Sequence, residues 1–487
     1  MIDNSLNKQR GYRTAFKATS LFGGVQLITI VISVLKSKLI AVWLGTTGFG
    51  IMGLFNSSIA LLSSITNLGL QNSAVREIAA ASAESNLFKF SALVKAINRW
   101  VLLTGLLGAL VTIALAPWLS RWVFASDKFV FSFALLSIIV LLTGIYTNHY
   151  ALLQGTRKLR AMALANVYGA SIGFLCSVPM FYFFREDGIV YALILSTISI
   201  TIVSYSYAKQ VKTVTISQTL KESFVIGLPT VKLGFLMALS SISVYLVQFI
   251  VKTFITQYGS LEDAGLYEAG WAINAQYLGL VFTAMSKDYY PRLSQLSSDN
   301  IKMMNAVNQQ GEIAILILAP MIIALVVFLP FVINLLYSSD FLDIIPMTKW
   351  LLVGSMLKAG SWAISYVFLA KGAGKIYLFN EMGIKCITLP SYLLGYAFGG
   401  LLGIGYAFVF CYFCYFIWVA VVAFKRYNII YSSVFLKVLL FTCFFLFFYA
   451  ISEVYYPTAL VRYLVGCTVL FIISIYSFGE LKKRLIS

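Results

Sequence analysis

Charged residues are scarce in this sequence of 487 residues. Asp, Glu, Lys and Arg together make up only 11% of the chain, while 60% of the residues are hydrophobic and the mean hydropathy is +0.88. A soluble globular domain carries about 25% charged residues. The composition therefore excludes an ordinary soluble protein and predicts a membrane protein whose chain crosses the bilayer many times.

Residues that catalyse reactions or hold metals are also scarce. The chain has one histidine, His149, which lies in an apolar segment, and a catalytic base needs an orienting partner. The sequence contains no HExxH motif, no phosphate-binding loop of the Walker type and no cluster of carboxylates. We therefore predict that the protein is not an enzyme, that it uses no cofactor or metal, and that His149 is a packed polar residue.

Acidic residues are half as frequent as basic ones, with 18 Asp and Glu against 36 Lys and Arg. The basic residues gather in alternate short loops, which is typical of membrane topology rather than of nucleic-acid binding. A helix needs about 20 apolar residues to cross the bilayer. Fourteen such segments are predicted, centred near residues 30, 60, 108, 141, 173, 197, 240, 278, 320, 358, 387, 412, 442 and 468.

The second half of the chain repeats the first. Lys38 lies seven residues before Gly45, and Lys252 lies seven residues before Gly259, an offset of 214. Further matches keep nearly the same offset, and they include Gly50 with Gly265, Pro117 with Pro330, Asp127 with Asp340, Gly144 with Gly360, and Leu153 with Leu369. Duplicated halves of a transporter usually pack about a pseudo-two-fold axis. The repeat predicts an all-α integral membrane fold with two pseudo-symmetric six-helix lobes.

Segments thirteen and fourteen have no counterpart in the repeat and are predicted to be an appended pair. The predicted organisation is a cytoplasmic N-terminal tail (1–16), an N-lobe (17–208), a cytoplasmic linker (209–222), a C-lobe (223–424), and an appended pair with a cytoplasmic tail (425–487). Asp127 and Asp340 fall in two short outer loops, and we interpret them as helix N-caps.

Six lysines lie inside apolar runs: Lys36, Lys38, Lys232, Lys252, Lys358 and Lys385. Two glutamates, Glu268 and Glu381, lie at similar depth. An ionisable residue inside the membrane is costly and by default indicates a functional site. Because cations outnumber acids there, we expect an anion to visit, and an ammonium group binds phosphate well as a point charge.

These charges supply the candidate site. The candidate substrate-binding residues are Lys38, Lys252, Lys358 and Lys36, and the candidate coupling groups or charge partners are Glu268 and Glu381. The alternative is that the lysines are paired internally with these glutamates, in which case they need not face a substrate.

Polar residues on two segments also allow two interpretations. Segment two carries Asn56, Asn67 and Asn72, and segment eight carries Asn274 and Gln276. They are consistent with a water-filled cavity, and equally with hydrogen bonds between helices.

Three stretches of the chain resemble a known family. They are KATSLFGGVQLITIVISVLKSKLIAVWLG (17–45), EDAGLYEAGWAIN with YYPRLSQL (262–296), and YSSDFLDIIPMTKWLLVGSMLKAGSWAISYVFLAKGAGKIYLFNEMG (337–383). Over about residues 15–425 the chain resembles the Wzx-type flippases of O-antigen and enterobacterial common antigen (lipid III) precursors. These flippases belong to the multidrug/oligosaccharidyl-lipid/polysaccharide (MOP) exporter superfamily. Lys38, Lys358 and Glu381 fall where the family carries similar charges, whereas Tyr267 stands where a tryptophan is expected.

The resemblance implies two six-helix lobes around a central cavity that alternates in access. The implied substrate is an undecaprenyl-diphosphate-linked oligosaccharide, moved from the cytoplasmic to the outer leaflet of the bacterial inner membrane. Polysaccharide polymerase and chain-length proteins are implied partners. Two alternatives stay open, a cation-coupled multidrug exporter of the same superfamily and a membrane-embedded polysaccharide polymerase or ligase.

The distribution of cations predicts that both termini are cytoplasmic. One side of the fourteen segments carries 25 Lys and Arg, and the other side carries five. In a cysteine-free background, a cysteine placed at Lys209 or Lys425 is expected to resist labelling by a membrane-impermeant maleimide in intact cells. A cysteine at Arg185 or Lys349 is the matched control and is expected to label. Outside labelling at position 209 or 425 would overturn the topology.

Overall fold

The structure, a computed structural model, is helical almost throughout the residues that it describes. It describes the backbone of residues 2–84, 86–455 and 459–486, and the side chains of residues 25, 28–84, 86–235, 237–286, 288–449 and 460–484. The side chains of the predicted N-terminal tail (1–16) thus lie outside the described residues.

Fifteen α-helices follow one another along the described backbone. They are α1 (Ile2–Thr66), α2 (Leu70–Ala83), α3 (Leu87–Phe124), α4 (Val130–Gly155), α5 (Leu159–Phe184), α6 (Gly188–Ala208), α7 (Leu220–Tyr258), α8 (Leu261–Ile273), α9 (Gly279–Gln295), α10 (Asn300–Val327), α11 (Leu329–Leu336), α12 (Ile345–Ala370), α13 (Gly374–Tyr427), α14 (Ser433–Tyr455) and α15 (Ala459–Ile486). A π-helical turn (Asn274–Leu278) joins α8 to α9.

These helices account for the fourteen predicted segments. Among the described side chains, nine helical stretches are long and apolar enough to cross a membrane. Three of them, Ile28–Thr66, Leu159–Ala208 and Gly374–Tyr427, each contain two predicted segments. The remaining two segments correspond to α8 with α9 and to the shorter apolar stretch Ser433–Tyr449. The predicted all-α membrane fold is confirmed.

The helices form two compact units. Unit 1 comprises Met1–Gly265 and unit 2 comprises Leu266–Ser487. Helix α7 packs against α1, α2 and α3, and so belongs to unit 1, although the repeat assigns it to the second lobe. The lobe boundaries drawn from the repeat remain a prediction.

The internal repeat is visible in the backbone. Arg157 ends the turn after α4 with φ 55°, and Gly372, 215 residues later, has φ 67° in the turn after α12. The hydrogen bonds match as well, because Lys158 N donates to Leu153 O at 2.8 Å and Ala373 N donates to Phe368 O at 2.9 Å. The two turns therefore have the same geometry. The offset here is 215, so Leu153 corresponds to Phe368 rather than to Leu369.

A second pair of connections repeats with the same offset. Arg185, between α5 and α6, has φ 52° and ψ −129°, and Gly400, at the break in α13, has φ 56° and ψ −144°. Residues with a Cβ rarely adopt this conformation. The break divides α13 into two arms, residues 374–398 and 401–427, which correspond to predicted segments eleven and twelve.

A close helix crossing in unit 1 joins two glycines that the repeat pairs, Gly50 of α1 and Gly265 of α8. A Cβ on Gly50 would lie 2.1 Å from the Leu261 carbonyl oxygen, and a Cβ on Gly265 would lie 1.9 Å from the Thr46 carbonyl oxygen. Each glycine therefore faces the carbonyl four residues before its partner. This reciprocity is what a local two-fold relation requires. Thr46 Oγ1 also donates a hydrogen bond to Glu262 at 3.1 Å.

The breaks before this crossing are related too. Gly45 interrupts α1 with φ 66° and ψ −163°, and Gly259 ends α7 at the corresponding position. Only a residue without a Cβ adopts the Gly45 conformation readily. The two glycines let the chain turn between one membrane pass and the next with almost no loop.

The appended helices α14 and α15 pack on α10 in unit 2. Val438, Tyr449, Val469 and Ile473 join the same buried core as the side chains of α10. Beside it, Arg484 Nε lies 2.9 Å from Glu312 Oε2, and both side chains are largely buried. A charge in such a place is stable only when it is paired and hydrogen-bonded. The ion pair between Arg484 and Glu312 therefore links α15 to α10.

Neither of the two expected N-caps is present. Asp340 lies inside a 3-10 helical turn (Ser339–Ile344) and accepts a hydrogen bond from the Ser338 hydroxyl at 3.3 Å instead of capping a helix. The side chain of Asp127 pairs with Arg121 at 2.7 Å and caps no helix, because α4 begins three residues later. Its role as a cap was wrong, since an arginine one turn before the end of α3 competes for the carboxylate. Elsewhere Asp299 does cap α10, and the hydrogen bond from the Lys302 amide lowers the pKa of Asp299 from its ordinary value.

The contact between Gly50 and Gly265 provides a test of the repeat. Gly50→Ala and Gly265→Ala are each expected to destabilise the protein by about 1–3 kcal/mol, because a methyl group would push the backbones apart. The loss should be similar for both, since the contact is reciprocal. Thermal unfolding of the purified protein in detergent measures it. Gly279→Ala is the control, because no atom lies within 4 Å of its added Cβ. Unchanged stability in both crossing variants would contradict the geometry.

Candidate functional site

Lys36 and Lys38 lie on α1, before its break at Gly45, and both are half-buried. The Lys36 ammonium lies 5.9 Å from the centre of the Phe181 ring on α5. An aromatic face attracts a cation but leaves its charge uncompensated. Among the described side chains, no carboxylate comes within 4 Å of Lys36, so a bound anion could pair with it.

Lys252 is different, because it is buried with only 6% of its surface exposed. Its ammonium group donates to the Gly53 carbonyl oxygen of α1 at 3.3 Å. Lys38 and Lys252, which the repeat assigns to two lobes, thus both lie in unit 1 on helices that pack together. In this conformation Lys252 holds α7 against α1.

Unit 2 contains a second group of charges, here called the α12–α13 cluster and formed by Lys358, Lys385 and Glu381. Lys358 lies on α12, and the other two lie on the first arm of α13. The charges of Lys385 and Glu381 both act on Lys358. Two cations and one carboxylate thus share one region, and the cluster carries an excess positive charge.

Aromatic side chains surround Lys358. Its ammonium lies 5.4 Å from the centre of the Phe282 ring and 5.7 Å from that of Tyr412. Among the described side chains, no carboxylate lies within 4 Å of Lys358 or of Lys385. The alternative of a direct lysine–glutamate ion pair is thus not seen for these two lysines, and Lys358 lies near two neutral rings.

Glu381 is fixed by a tyrosine. Tyr415, on the second arm of α13, donates a hydrogen bond from its hydroxyl to Glu381 Oε1 at 2.9 Å. One residue earlier, Asn380 accepts a hydrogen bond from Trp418 Nε1 at 2.9 Å. The two arms of α13 are therefore joined by polar side chains at the level of the cluster. A hydrogen bond to a charged group is worth about 1.5–3 kcal/mol.

Glu268 lies on α8 in unit 2 and is half-buried. Its charge acts on the hydroxyl groups of Tyr267 and Tyr337, both of which are buried. Tyr267 is the residue that stands in place of the expected tryptophan, and it stacks on Trp271 with ring centres 6.0 Å apart. Glu268 therefore lies in an aromatic environment, as Glu381 does.

The two polar faces differ in the structure. Asn274 is buried and accepts a hydrogen bond from Ser355 of α12 at 2.9 Å, so it is a helix–helix contact. Asn56, Asn67 and Asn72 instead line a cavity in unit 1. His149 is hydrogen-bonded to Ser204 of α6 at 2.9 Å, which agrees with a packed polar residue.

Sequence reasoning missed the tyrosines of the cluster. Tyr412 and Tyr415 lie in CYFCYFIW (411–418), where aromatic residues are so frequent that their spacing does not single out any one of them. Lys385 was visible as a charge at depth, but its proximity to Lys358 depends on the packing of α13 against α12.

Comparison with known proteins adds to this geometry. A family model described as polysaccharide biosynthesis protein matches residues 18–346, about two thirds of the chain. The chain belongs to the polysaccharide biosynthesis protein family.

This member of the polysaccharide biosynthesis family is 23% identical to the lipid III flippase of Escherichia coli (strain K12) over 368 residues, which are 75% of this chain and 88% of the flippase. Its fold is similar to that of the lipid II flippase MurJ in an inward closed conformation, with a TM-score of 0.70, 14% identity, and coverage of 95% of this chain and 99% of MurJ. It is also similar to an inward-facing multidrug resistance MATE transporter of the MOP superfamily, with a TM-score of 0.67, 17% identity, and coverage of 83% and 98%. The resemblance that the sequence predicts is confirmed.

Proposed function

We propose that this protein is a flippase that moves undecaprenyl-diphosphate-linked oligosaccharide from the cytoplasmic to the outer leaflet by alternating access. The similarity to the lipid III flippase supports this proposal, because it extends over 88% of that protein. A transporter also agrees with the nine helical stretches among the described residues that are long and apolar enough to cross a membrane. The protein is a multi-pass membrane protein, and we place it in the bacterial inner membrane with both termini in the cytoplasm.

The observation that carries the proposal is the excess of cations at membrane depth. The α12–α13 cluster has two lysines and one glutamate, and Lys36 adds a cation with no carboxylate within 4 Å among the described side chains. Burying uncompensated charge is costly, and an anionic ligand would offset that cost. A diphosphate carries negative charge that would offset such lysines.

Each charged residue then has a proposed role. Lys358 and Lys385 bind the diphosphate through their point charges, as ammonium groups do. Lys36, Lys38 and Lys252 are further proposed diphosphate ligands in unit 1. Because Lys252 is buried against Gly53, it reaches a ligand only if α7 moves relative to α1.

The two glutamates are proposed coupling groups or charge partners. Glu381 is held by Tyr415 and influences Lys358, so a change in its protonation would alter the charge that the diphosphate meets. Glu268 lies among tyrosines in the same unit. Polysaccharide polymerase and chain-length proteins are proposed partners.

The MATE-like fold favours one other function, export of drugs coupled to cations. Many such drugs are cations, and a pocket for them requires an excess of acidic groups. The α12–α13 cluster has the opposite sign. An enzyme that polymerises or ligates polysaccharide would need acid–base residues in a sizeable outer loop, and the predicted outer loops are short.

The proposed diphosphate ligands can be tested by charge substitution. Lys38→Ala, Lys252→Ala and Lys358→Ala are each expected to reduce delivery of lipid-linked oligosaccharide to the outer leaflet, with Lys→Arg milder and Lys→Glu inactive. An exposed lysine, Lys89, provides the Lys→Ala control. Thermal unfolding is measured in parallel, because a lysine that only pairs internally would lower stability by about 3–5 kcal/mol when removed.

Normal delivery by a Lys38→Ala, Lys252→Ala double variant would remove these two residues from the diphosphate site. Normal delivery when Lys358 and Lys385 are both replaced by alanine would do the same for the α12–α13 cluster.

The glutamates are tested by removing their charge. Glu268→Gln and Glu381→Gln are expected to reduce delivery while leaving expression and folding intact, because glutamine keeps the shape and a hydrogen-bond acceptor. Tyr415→Phe removes the hydrogen bond but leaves the charge of Glu381. This variant therefore distinguishes the effect of how Glu381 is positioned from the effect of its charge. Glu84→Gln, in an exposed ion pair, is the control. Full delivery by both glutamine variants would exclude Glu268 and Glu381 from the mechanism.

A further inference from the structure

Unit 1 contains a polar cavity that the charged residues do not reach. Its volume is about 400 Å³, within the range of small-molecule binding sites. It lies among α1, α2, α4 and α7, and its side chains are mainly amides, hydroxyls and tyrosines. None of its described lining residues carries a formal charge, which separates it from the lysine-rich regions.

The break between α1 and α2 forms part of one wall of this cavity, where Gly69 lines it. The chain leaves helical geometry at Leu68 and Gly69, with φ 48° and 63°, between α1 and α2. Gly69 lies so close to α7 that an added Cβ would be 2.2 Å from the Gly234 carbonyl oxygen. Helix breaks that line a cavity form the substrate sites of many transporters.

Two polar atoms at this wall have no protein partner. Ser63 Oγ and Asn67 Oδ1 are buried, and neither makes a hydrogen bond. Ser63 is only 6% exposed. Most buried polar groups are hydrogen-bonded, so each such exception requires an explanation. Both residues line the cavity, where a ligand could supply the missing hydrogen bonds.

The opposite wall provides the same chemistry. Thr143 and Thr147 of α4 line it, and the hydroxyl of Thr147 already donates to the Thr143 carbonyl at 2.7 Å, which leaves its lone pairs free to accept. Tyr146 and Tyr245 also line the cavity. A ligand in this space meets both donors and acceptors, together with apolar ring faces, but no full charge.

We propose that this cavity binds the sugar part of the lipid-linked substrate, with Ser63 and Asn67 hydrogen-bonded to sugar hydroxyl or amide groups. Hydroxyl-rich sugar rings match a surface that offers amide and hydroxyl groups. A diphosphate does not, because the cavity offers it no cation. The inference rests on the proposed flippase function and assigns the two chemical parts of the substrate to different residues.

The test compares two lipids on the purified full chain in nanodiscs. One is undecaprenyl diphosphate, and the other is the cell's own undecaprenyl-diphosphate-linked oligosaccharide, accumulated in cells depleted of this protein. The wild type is expected to bind the glycosylated lipid more tightly. A Ser63→Ala, Asn67→Ala double variant is expected to lose at least tenfold in affinity for the glycosylated lipid while its affinity for undecaprenyl diphosphate stays unchanged.

Two further variants keep the test decisive. Ser58→Ala is the matched control, because Ser58 is buried on the same helix but bonded to the Leu54 carbonyl, and it should bind both lipids as the wild type does. Asn72→Ala changes an exposed lining residue and cannot impair folding through a buried contact, so it tests the cavity if the double variant is unstable. It should weaken binding of the glycosylated lipid alone.

The possible failures are distinguishable. If the wild type transports no lipid-linked oligosaccharide in proteoliposomes, the proposed function is wrong. If the wild type transports it, and the cavity variants bind both lipids as the wild type does, the cavity holds only water and the sugar site is overturned. An equal loss for both lipids would also overturn it, since the cavity would then act on the shared diphosphate or tail.

Discussion

The contact between Gly50 and Gly265 is the constraint on which the arrangement of unit 1 depends. Lipid chains are as apolar as leucine side chains, so the hydrophobic effect does little to hold membrane helices together, and close approach of backbones takes its place. A Cβ on either glycine would overlap the carbonyl oxygen of the other helix. Because α8 follows α7 after a single break, fixing α8 on α1 also brings α7 against the first helices of the chain.

This packing also determines the environments of Lys38 and Lys252, the two lysines that the repeat relates. The repeat places Lys38 and Lys252 at equivalent positions, yet the environment of each is set by the helices beside it. Lys252 is enclosed by the packing of α7 on α1 and donates to Gly53, whereas Lys38 on α1 is half-buried. Equivalent positions in a duplicated chain need not have equivalent chemistry, because the helices packed around the two positions differ.

This protein carries both charged and neutral polar groups within its apolar helices. In unit 2, cations and a carboxylate lie among tyrosine and phenylalanine rings, which moderate charge without neutralising it. In unit 1, a break in the helix opens a cavity of amides and hydroxyls. A lipid-linked oligosaccharide has two matching parts, a charged diphosphate and hydroxyl-rich sugars. The proposed function and the proposed sugar site both follow from this match.

The sequence by itself determined the number and order of the membrane passes, because each needs a long apolar run and the described helices follow those runs. The sequence also determined the repeat, because no other residue is small enough to replace the glycines at the helix breaks and at the helix crossing. The tertiary structure alone decided which polar residues meet. Asn274 and Asn67 look alike in sequence, but one bonds to Ser355 and the other faces a cavity. Likewise, Lys358, Lys385 and Glu381 form a cluster only because α12 packs against α13, and the hydrogen bond from Tyr415 depends on how the arms of α13 fold at Gly399 and Gly400. Hydrophobic periodicity records that a helix is buried in the membrane, but not which of its faces meets which neighbour.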